Sequence, residues 1–291
     1  TIALATNGSG NATVVNDAGL NFAASTVRGN LAATATTGNM TDSGALTVAG
    51  TSSFTTSANN ADITLNTTTN AFTGAVTITT NDNSGTDADV TIDGGTTALI
   101  LAASTIDGDL TVRSGNASGI TDSGTVTVGG NLAATTDANN GVINLGTLAV
   151  NGTIALATNG SGNATVVNDA GLDFAASTVG GTLSATATTG NIADSGALTI
   201  AGAATFITGV DGSDIILDSS ANAFSGSVTF QADAGNETFG NITFVDSGAV
   251  DIDSSISSGE TNTTADVTER SAGASAVCVR TGGSCPYDPR T

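Results

Sequence analysis

"NGTIALATNGSGNATVVNDAGL", residues 151–172, repeats almost letter for letter the stretch "TIALATNGSGNATVVNDAGL" at residues 1–20. The match runs on without a gap, so that residues 1–50 align with residues 153–202. The only differences there are Asn21/Asp173, Arg28/Gly180, Asn30/Thr182, Ala32/Ser184, Met40/Ile192, Thr41/Ala193 and Val48/Ile200. Beyond residue 50 the 152-residue register persists more loosely, through Phe54/Phe206, Ile63/Ile215, Leu65/Leu217 and Phe72/Phe224. Self-similarity at a fixed offset is the mark of a repeat architecture, in which each unit supplies part of its neighbour's core.

A shorter period lies inside the long one. "FAASTV" at residues 22–27 returns as "LAASTI" at 101–106 and as "FAASTV" at 174–179, while "TDSG" at 41–44 returns at 121–124 and as "ADSG" at 193–196. Two sub-repeats of about 76 residues, each of four turns, predict about 19 residues per turn and eight turns per long repeat. Apolar residues come as alternating dyads such as Leu46 and Val48, Ile63 and Leu65, Val76 and Ile78, and Val126 and Val128. Period two means strands. Gly, Asn, Asp and Ser fill the intervals, as turns require, and nothing reads as a helix.

A short strand with one apolar face cannot bury that face alone, whereas successive turns stacked along an axis can. The expected fold is therefore all-β: a parallel β-solenoid over residues 1–258, with the second copy of the long repeat starting at 153. Phe22, Phe54, Phe72, Phe174, Phe206 and Phe224 are expected to stack inside it. From about residue 259 the dyads fade, and residues 259–291 read as a separate, non-repetitive tail.

Composition narrows the functional classes. The 291 residues include 38 Gly, no Trp, no His and only 2 Pro, with a formal net charge of −21. All five cations are Arg (Arg28, Arg113, Arg270, Arg280 and Arg290). A polyanionic partner would be repelled, which argues against nucleic acid and anionic membranes. No segment has the apolar length of a membrane-spanning helix. The chain starts without Met or a visible signal peptide, inside a repeat, and so reads as a piece of a longer or processed protein.

Without His or Lys, the usual triads, dyads and Schiff bases cannot be assembled. Carboxylate chemistry on polysaccharide remains, with Asp87, Asp89, Asp93, Asp107, Asp109, Asp211 and Asp214 on offer. Yet the scarcity of basic and aromatic residues to hold sugar argues against an enzyme. Asp82, Asp87 and Asp89 in "NDNSGTDAD", and Asp211 and Asp214 in "DGSD", are candidate Ca2+ ligands because they cluster hard oxygens; the competing reading is that turns need Asp and Asn for side-chain-to-backbone bonds. Threonine runs such as residues 33–37 invite an ice-binding reading, which is set aside because the runs do not recur on each turn of the sequence.

The spacing in "GNLAATATTGNMTDSGALTVAG" (residues 29–50) and "GTLSATATTGNIADSGALTIAG" (residues 181–202) resembles the filamentous-haemagglutinin-type repeats of large bacterial exoproteins, over nearly the whole chain to about residue 258. That resemblance implies a right-handed parallel β-helix, two-partner export, and an extracellular location on the bacterial surface as an adhesin or fibre. The family's secretion domain with its Asn-Pro-Asn motifs has no counterpart, since the only prolines are Pro286 and Pro289.

The tail holds both cysteines. Cys278 and Cys285 flank a Gly-Gly turn, a spacing that suits a hairpin disulfide in preference to two free thiols. Arg270, Arg280, Tyr287 and Arg290 set the tail apart from the acidic body, and make it a candidate joint for head-to-tail self-association into a filament. The expected function is an extracellular structural filament. The alternatives are the stalk of an adhesin that carries a cell-surface receptor site, and a polysaccharide-degrading enzyme.

Overall fold

The computed structural model describes residues 1–81, 87–232, 240–248, 252 and 267–271. Every element there is a strand or a bridge, and every strand pairing is parallel. No helix among the described residues is long and apolar enough to cross a membrane. The chain divides into two units, residues 1–152 and 153–291. The division falls where the second copy of the long repeat begins.

In the first unit each turn consists of one straight strand and one bent pair of short ones. Ala12–Asn16 leads to Leu20–Phe22 and Ser25–Val27, Leu31–Ala35 to Met40–Asp42 and Leu46–Val48, and Ser52–Thr56 to Ile63–Leu65 and Ala71–Phe72. Ala12 lies opposite Leu31, Leu31 opposite Ser52 and Ser52 opposite Val76, so that each turn is longer than the one before it. The turn from Ile63 to Val90 is longer again. The average turn is about 21 residues, and the long repeat holds seven turns, where the sequence spacing suggested eight shorter ones. Strands must keep phase with their neighbours, but corners need not keep length. Insertions collect at the corners and disguise the period.

After Val76–Thr79 the two faces of the first unit exchange roles. The straight strands Leu110–Ser114 and Leu132–Thr136 continue the face of Ile63–Leu65 and Val90–Asp93. The bent pairs, Leu99–Leu101 with Ser104–Ile106 and Ile120–Asp122 with Val126–Val128, continue the face of Val76–Thr79. "FAASTV" at 22–27 and "LAASTI" at 101–106 therefore lie in different sheets. The sub-repeat, half of the long repeat, is a half-integral number of turns, near three and a half.

The second unit restates the opening layout. Its straight strands are Ala164–Asn168, Leu183–Ala187, Ala204–Thr208 and Val228–Gln231. Its other sheet runs through Leu172–Phe174, Ile192–Asp194, Ile215–Leu217 and Ile242–Asp246. Val267–Ser271 then pairs in register with Ile242–Asp246, so one parallel strand lies beyond residue 258, within the segment set apart by sequence.

Alternation places every second side chain inside. Leu46 and Leu198, one repeat apart, are both fully buried, and the N–H of each donates to the buried Asn70 or Asn222 Oδ1 at 2.8 Å. All six expected phenylalanines are buried. Phe54 meets Phe72 edge-on at 5.8 Å in the first unit. In the second unit Phe206 contacts Phe174, Phe224 and Phe230 at 6.3, 6.1 and 5.9 Å. Two of that unit's rings, Phe230 and Phe244, stand where the first repeat has Ile78 and Ile92.

Ser52 and Thr56 share the inward face of their strand, and neither hydroxyl has a hydrogen-bond partner. The counterpart of Ser52 in the second repeat is the buried Ala204. Ser52→Ala removes a buried unsatisfied hydroxyl at little cost in volume, and is expected to raise the unfolding free energy by about 1 kcal/mol. Denaturant titration checks this; a loss of similar size would mean that the hydroxyl has a partner in solution.

On the outer faces threonines align across turns. Thr34, Thr55, Thr79, Thr105 and Thr127 occupy one row of successive rungs, and Thr41, Thr64, Thr91 and Thr111 another. Each rung contributes a single threonine to such a row, and the Thr-x-Thr runs of residues 33–37 do not recur on every rung. Unequal corner lengths hide the rows in the linear sequence.

Candidate functional site

The motifs that recur in the sequence converge on one type of place, the corner where a bent pair meets the rungs before and after it. In "DSG" each residue has its own partner. Asp42 Oδ1 and Oδ2 accept the N–H groups of Asn66 and Thr67, one turn later. Asp122 accepts those of Gly146 and Thr147 in the same way, and Asp194 Oδ1 accepts that of Asp218. The serine points the other way: Ser43 Oγ and Ser123 Oγ donate to the carbonyls of Phe22 and Leu101, one turn earlier. The glycine makes room, because a Cβ on Gly196 would lie 2.2 Å from the Ala176 nitrogen.

That alanine belongs to the second motif. In "AAST" the buried Ser25, Ser104 and Ser177 each donate to the carbonyl two residues back and accept the N–H of Leu4, Ile78 or Leu156 on the rung before. The two motifs therefore join rungs, and each explains the presence of the other.

A third device was not legible in the sequence. Asn222 is fully buried; its Nδ2 donates to Asp194 Oδ2 at 2.6 Å, and its Oδ1 accepts the Leu198 N–H. Asn70 makes the same bridge to Asp42 and Leu46. The only signal was that both asparagines stand at the same separation from the DSG aspartate.

The calcium candidates are spread over this scheme. Asp89 Oδ1 accepts the Asp109 N–H, while the Asp89 N–H donates to Asp62 Oδ1. Asp214 Oδ1 accepts the Asn241 N–H at 2.7 Å, and its own N–H donates to Asn191 Oδ1. Each is a link in a ladder of Asx side chains that bond the next rung's backbone, as the turn-chemistry reading expects. Asp87 is exposed, and Asp211 Oδ1 has no hydrogen-bond partner. Among the described residues no three Asp, Glu, Cys or His side chains are gathered as a metal site. Asp82, Cys278, Cys285, Arg280, Tyr287 and Arg290 lie outside the described residues, and Arg270 is described only as backbone of the Val267–Ser271 strand.

Asp194 and Asp93 are perturbed carboxyls. Burial pushes Asp194 above the ordinary carboxylate value, against the opposing bonds from Asn222 and the Asp218 and Ser219 N–H groups. Burial likewise raises Asp93, whose Oδ1 accepts the Gly95 N–H at 2.7 Å; Arg113 stands 3.9 Å from its Oδ2 and also pairs with Asp137 at 3.1 Å. A carboxyl raised on folding contributes stability that is fully present below its unfolded value, 3.8, and is lost as pH rises through the raised value. The contribution of these two carboxyls to the melting temperature is therefore expected to grow as pH falls through their raised values towards 3.8, the reverse of ordinary acid destabilisation. Calorimetry across that range tests it, and a melting temperature that climbs with pH would contradict it.

With this geometry stands a match to a family: residues 9–79, 87–146 and 161–231 fit the model for repeats of unknown function (DUF5649). The chain belongs to the DUF5649 repeat family. The three DUF5649 segments begin at positions 9, 87 and 161, which is the spacing of the sub-repeat, so the family unit is about three and a half turns. The middle DUF5649 segment, 87–146, is the one on exchanged faces. No curated protein and no solved structure matches the chain.

Proposed function

We propose that this DUF5649 chain is a structural component of an extracellular filament on a bacterial surface, built by end-to-end association of β-solenoid units. One observation carries the reading: the motifs that the sequence repeats most faithfully, DSG and AAST, spend their polar groups on neighbouring rungs. What has been copied is the means of joining one turn to the next. The filamentous-haemagglutinin-type spacing supports export and a surface location, and the absence of His and Lys supports a non-catalytic role. The raised carboxyl of Asp194 is held by bonds from the next rung, and that of Asp93 by the Gly95 N–H two residues on and by Arg113 of the next rung, which suits a fastener better than an acid catalyst. Arg270, Arg280, Tyr287 and Arg290, with a Cys278–Cys285 disulfide, are proposed as the tail side of the joint.

Electron micrographs of the purified chain test this. Filaments many times longer than one chain are expected. Dispersed single particles at all concentrations would favour the second reading, a passive adhesin stalk, which the same resemblance supports.

A further inference from the structure

Charge is distributed unevenly around the first unit. Between residues 29 and 81 the only charged side chains are Asp42 and Asp62. Asp42, Asp62, Asp89, Asp93 and Asp109 all stand in, or immediately before, strands of one sheet, that of Met40–Asp42, Ile63–Leu65, Val90–Asp93 and Leu110–Ser114. The opposite sheet differs. Among the described residues of its strands, from Leu31–Ala35 to Ile143–Val150, Asp122 alone is charged, and its carboxylate accepts the Gly146 and Thr147 N–H groups. The outward residues of the straight strands there are Ala32, Thr34, Ser53, Thr55, Thr77 and Thr79. They are small, uncharged, at least partly exposed and in register from rung to rung.

The second repeat keeps this face uncharged while changing its residues. Ala32, Ser53, Thr55 and Thr79 have Ser184, Thr205, Ile207 and Gln231 as their counterparts. The strands that carry them, with Ala164–Asn168, contain no charged residue. On the other sheet the repeat lets charge change, since Asn21 has Asp173 as its counterpart. Identity varies on the face and neutrality does not, in a chain of net charge −21.

We propose that this uncharged sheet face is where a second copy of the chain packs, side by side with the first. Sheets pack face to face about 10 Å apart. Joined through these faces, two copies keep the carboxylates of their far sheets about 30 Å apart, well beyond the screening length of about 8 Å in physiological salt. Joined through the carboxylate sheets, they would hold them within about 10 Å. A cationic partner would be drawn to the carboxylate sheet instead. A second copy also fits by geometry, because its rungs have the same spacing of about 4.8 Å and its threonine rows mesh with those they meet. Threonine brings a methyl group to bury and a hydroxyl that both donates and accepts, and no charge has to be desolvated. Six rungs, from Leu31–Ala35 to Ile143–Val150, with strands about 17 Å long, offer about 500 Å² on each copy and about 1,000 Å² for the pair. That is the lower bound for a specific interface, so the pairing is expected to depend on concentration. The same patch serves both copies and the contact closes on itself. It stands beside the end-to-end reading and does not depend on it.

Sedimentation of the full-length chain against concentration, with electron micrographs of the same material, tests this. The wild-type chain is expected to form side-by-side pairs, and any filament to be two chains wide. Thr55→Glu places a carboxylate in the middle of the face, and Thr64→Glu places the same charge on the outward row of the other sheet. Thr55→Glu is expected to raise the dissociation constant of the pair by about tenfold or more, more at low salt than at high, and to leave filaments one chain wide and of normal length. Thr64→Glu should change it by less than about twofold, with the dichroism of both variants unchanged. Should Thr55→Glu fail to fold, Thr34→Glu in the same row takes its place. Equal weakening by both variants would mean that net charge decides and the face does not, and would overturn the proposal. So would pairs that Thr55→Glu leaves as tight as before, or a wild-type chain that forms no pairs at any concentration. Wild-type filaments one chain wide would overturn the lateral contact and leave the end-to-end reading standing; side-by-side pairs without filaments would do the reverse.

Discussion

Phe206→Ala is expected to lower the unfolding free energy of the second unit by about 3–5 kcal/mol, the range for a fully buried phenylalanine. Phe206 is the hub of that unit's aromatic core, in contact with Phe174, Phe224 and Phe230. The rung before it offers only the small Ala185 in register. A solenoid interior draws its wall from the rungs above and below, so the vacated volume has little freedom to collapse and the loss should fall high in the range. Phe54→Ala, at a position whose single ring contact among the described residues is Phe72, should cost less. Denaturant titration of both variants tests the ranking; equal losses would mean that ring–ring contact adds nothing to burial.

Asn222→Leu should cost about 2–4 kcal/mol at neutral pH, since removing one member of a buried network leaves the others unsatisfied. The Leu198 N–H loses its acceptor and the Asp194 carboxylate loses a 2.6 Å donor. Asn222 is among the groups that hold down the Asp194 pKa, so its removal raises that pKa further. The extra cost therefore belongs to the ionised form, and should shrink as pH is lowered through the raised value. A penalty independent of pH would show that the side chain matters for packing alone.

The strand dyads, the buried phenylalanines and the equivalence of Leu46 with Leu198 were legible in the sequence because alternation and size report directly on burial. The turn length was not. Corners between 58 and 61 or between 67 and 70 admit extra residues at no cost to strand phase, so a mean spacing of motifs could be divided by eight as easily as by seven. The same elasticity hid the threonine rows. The recurrence of DSG and AAST was plain, but their mutual dependence was not, because Gly196 and Ala176 meet only once the chain has gone round. Asp89 and Asp214 looked like ligands for the reason that they make good ladder residues: a short side chain with two oxygens suits either task. What told the tasks apart was the backbone N–H of the next rung, which no local window contains.

The exchange of faces within the first unit bears on how such a gene can grow. A motif displaced by one family unit, about three and a half turns, arrives on the opposite side of the solenoid, where straight strands must meet bent pairs. Unequal crossing-over by that length would set mismatched rungs against each other at the junction. A segment as long as the whole long repeat starts and stops at the same phase of its winding, so its insertion or loss leaves every surviving neighbour with the partner it had. Recombination in lineages carrying this architecture should therefore count in pairs of family units. Chains differing by an odd number would have to carry a compensating junction, of the kind found where Val76–Thr79 meets Leu99–Leu101 and Ser104–Ile106.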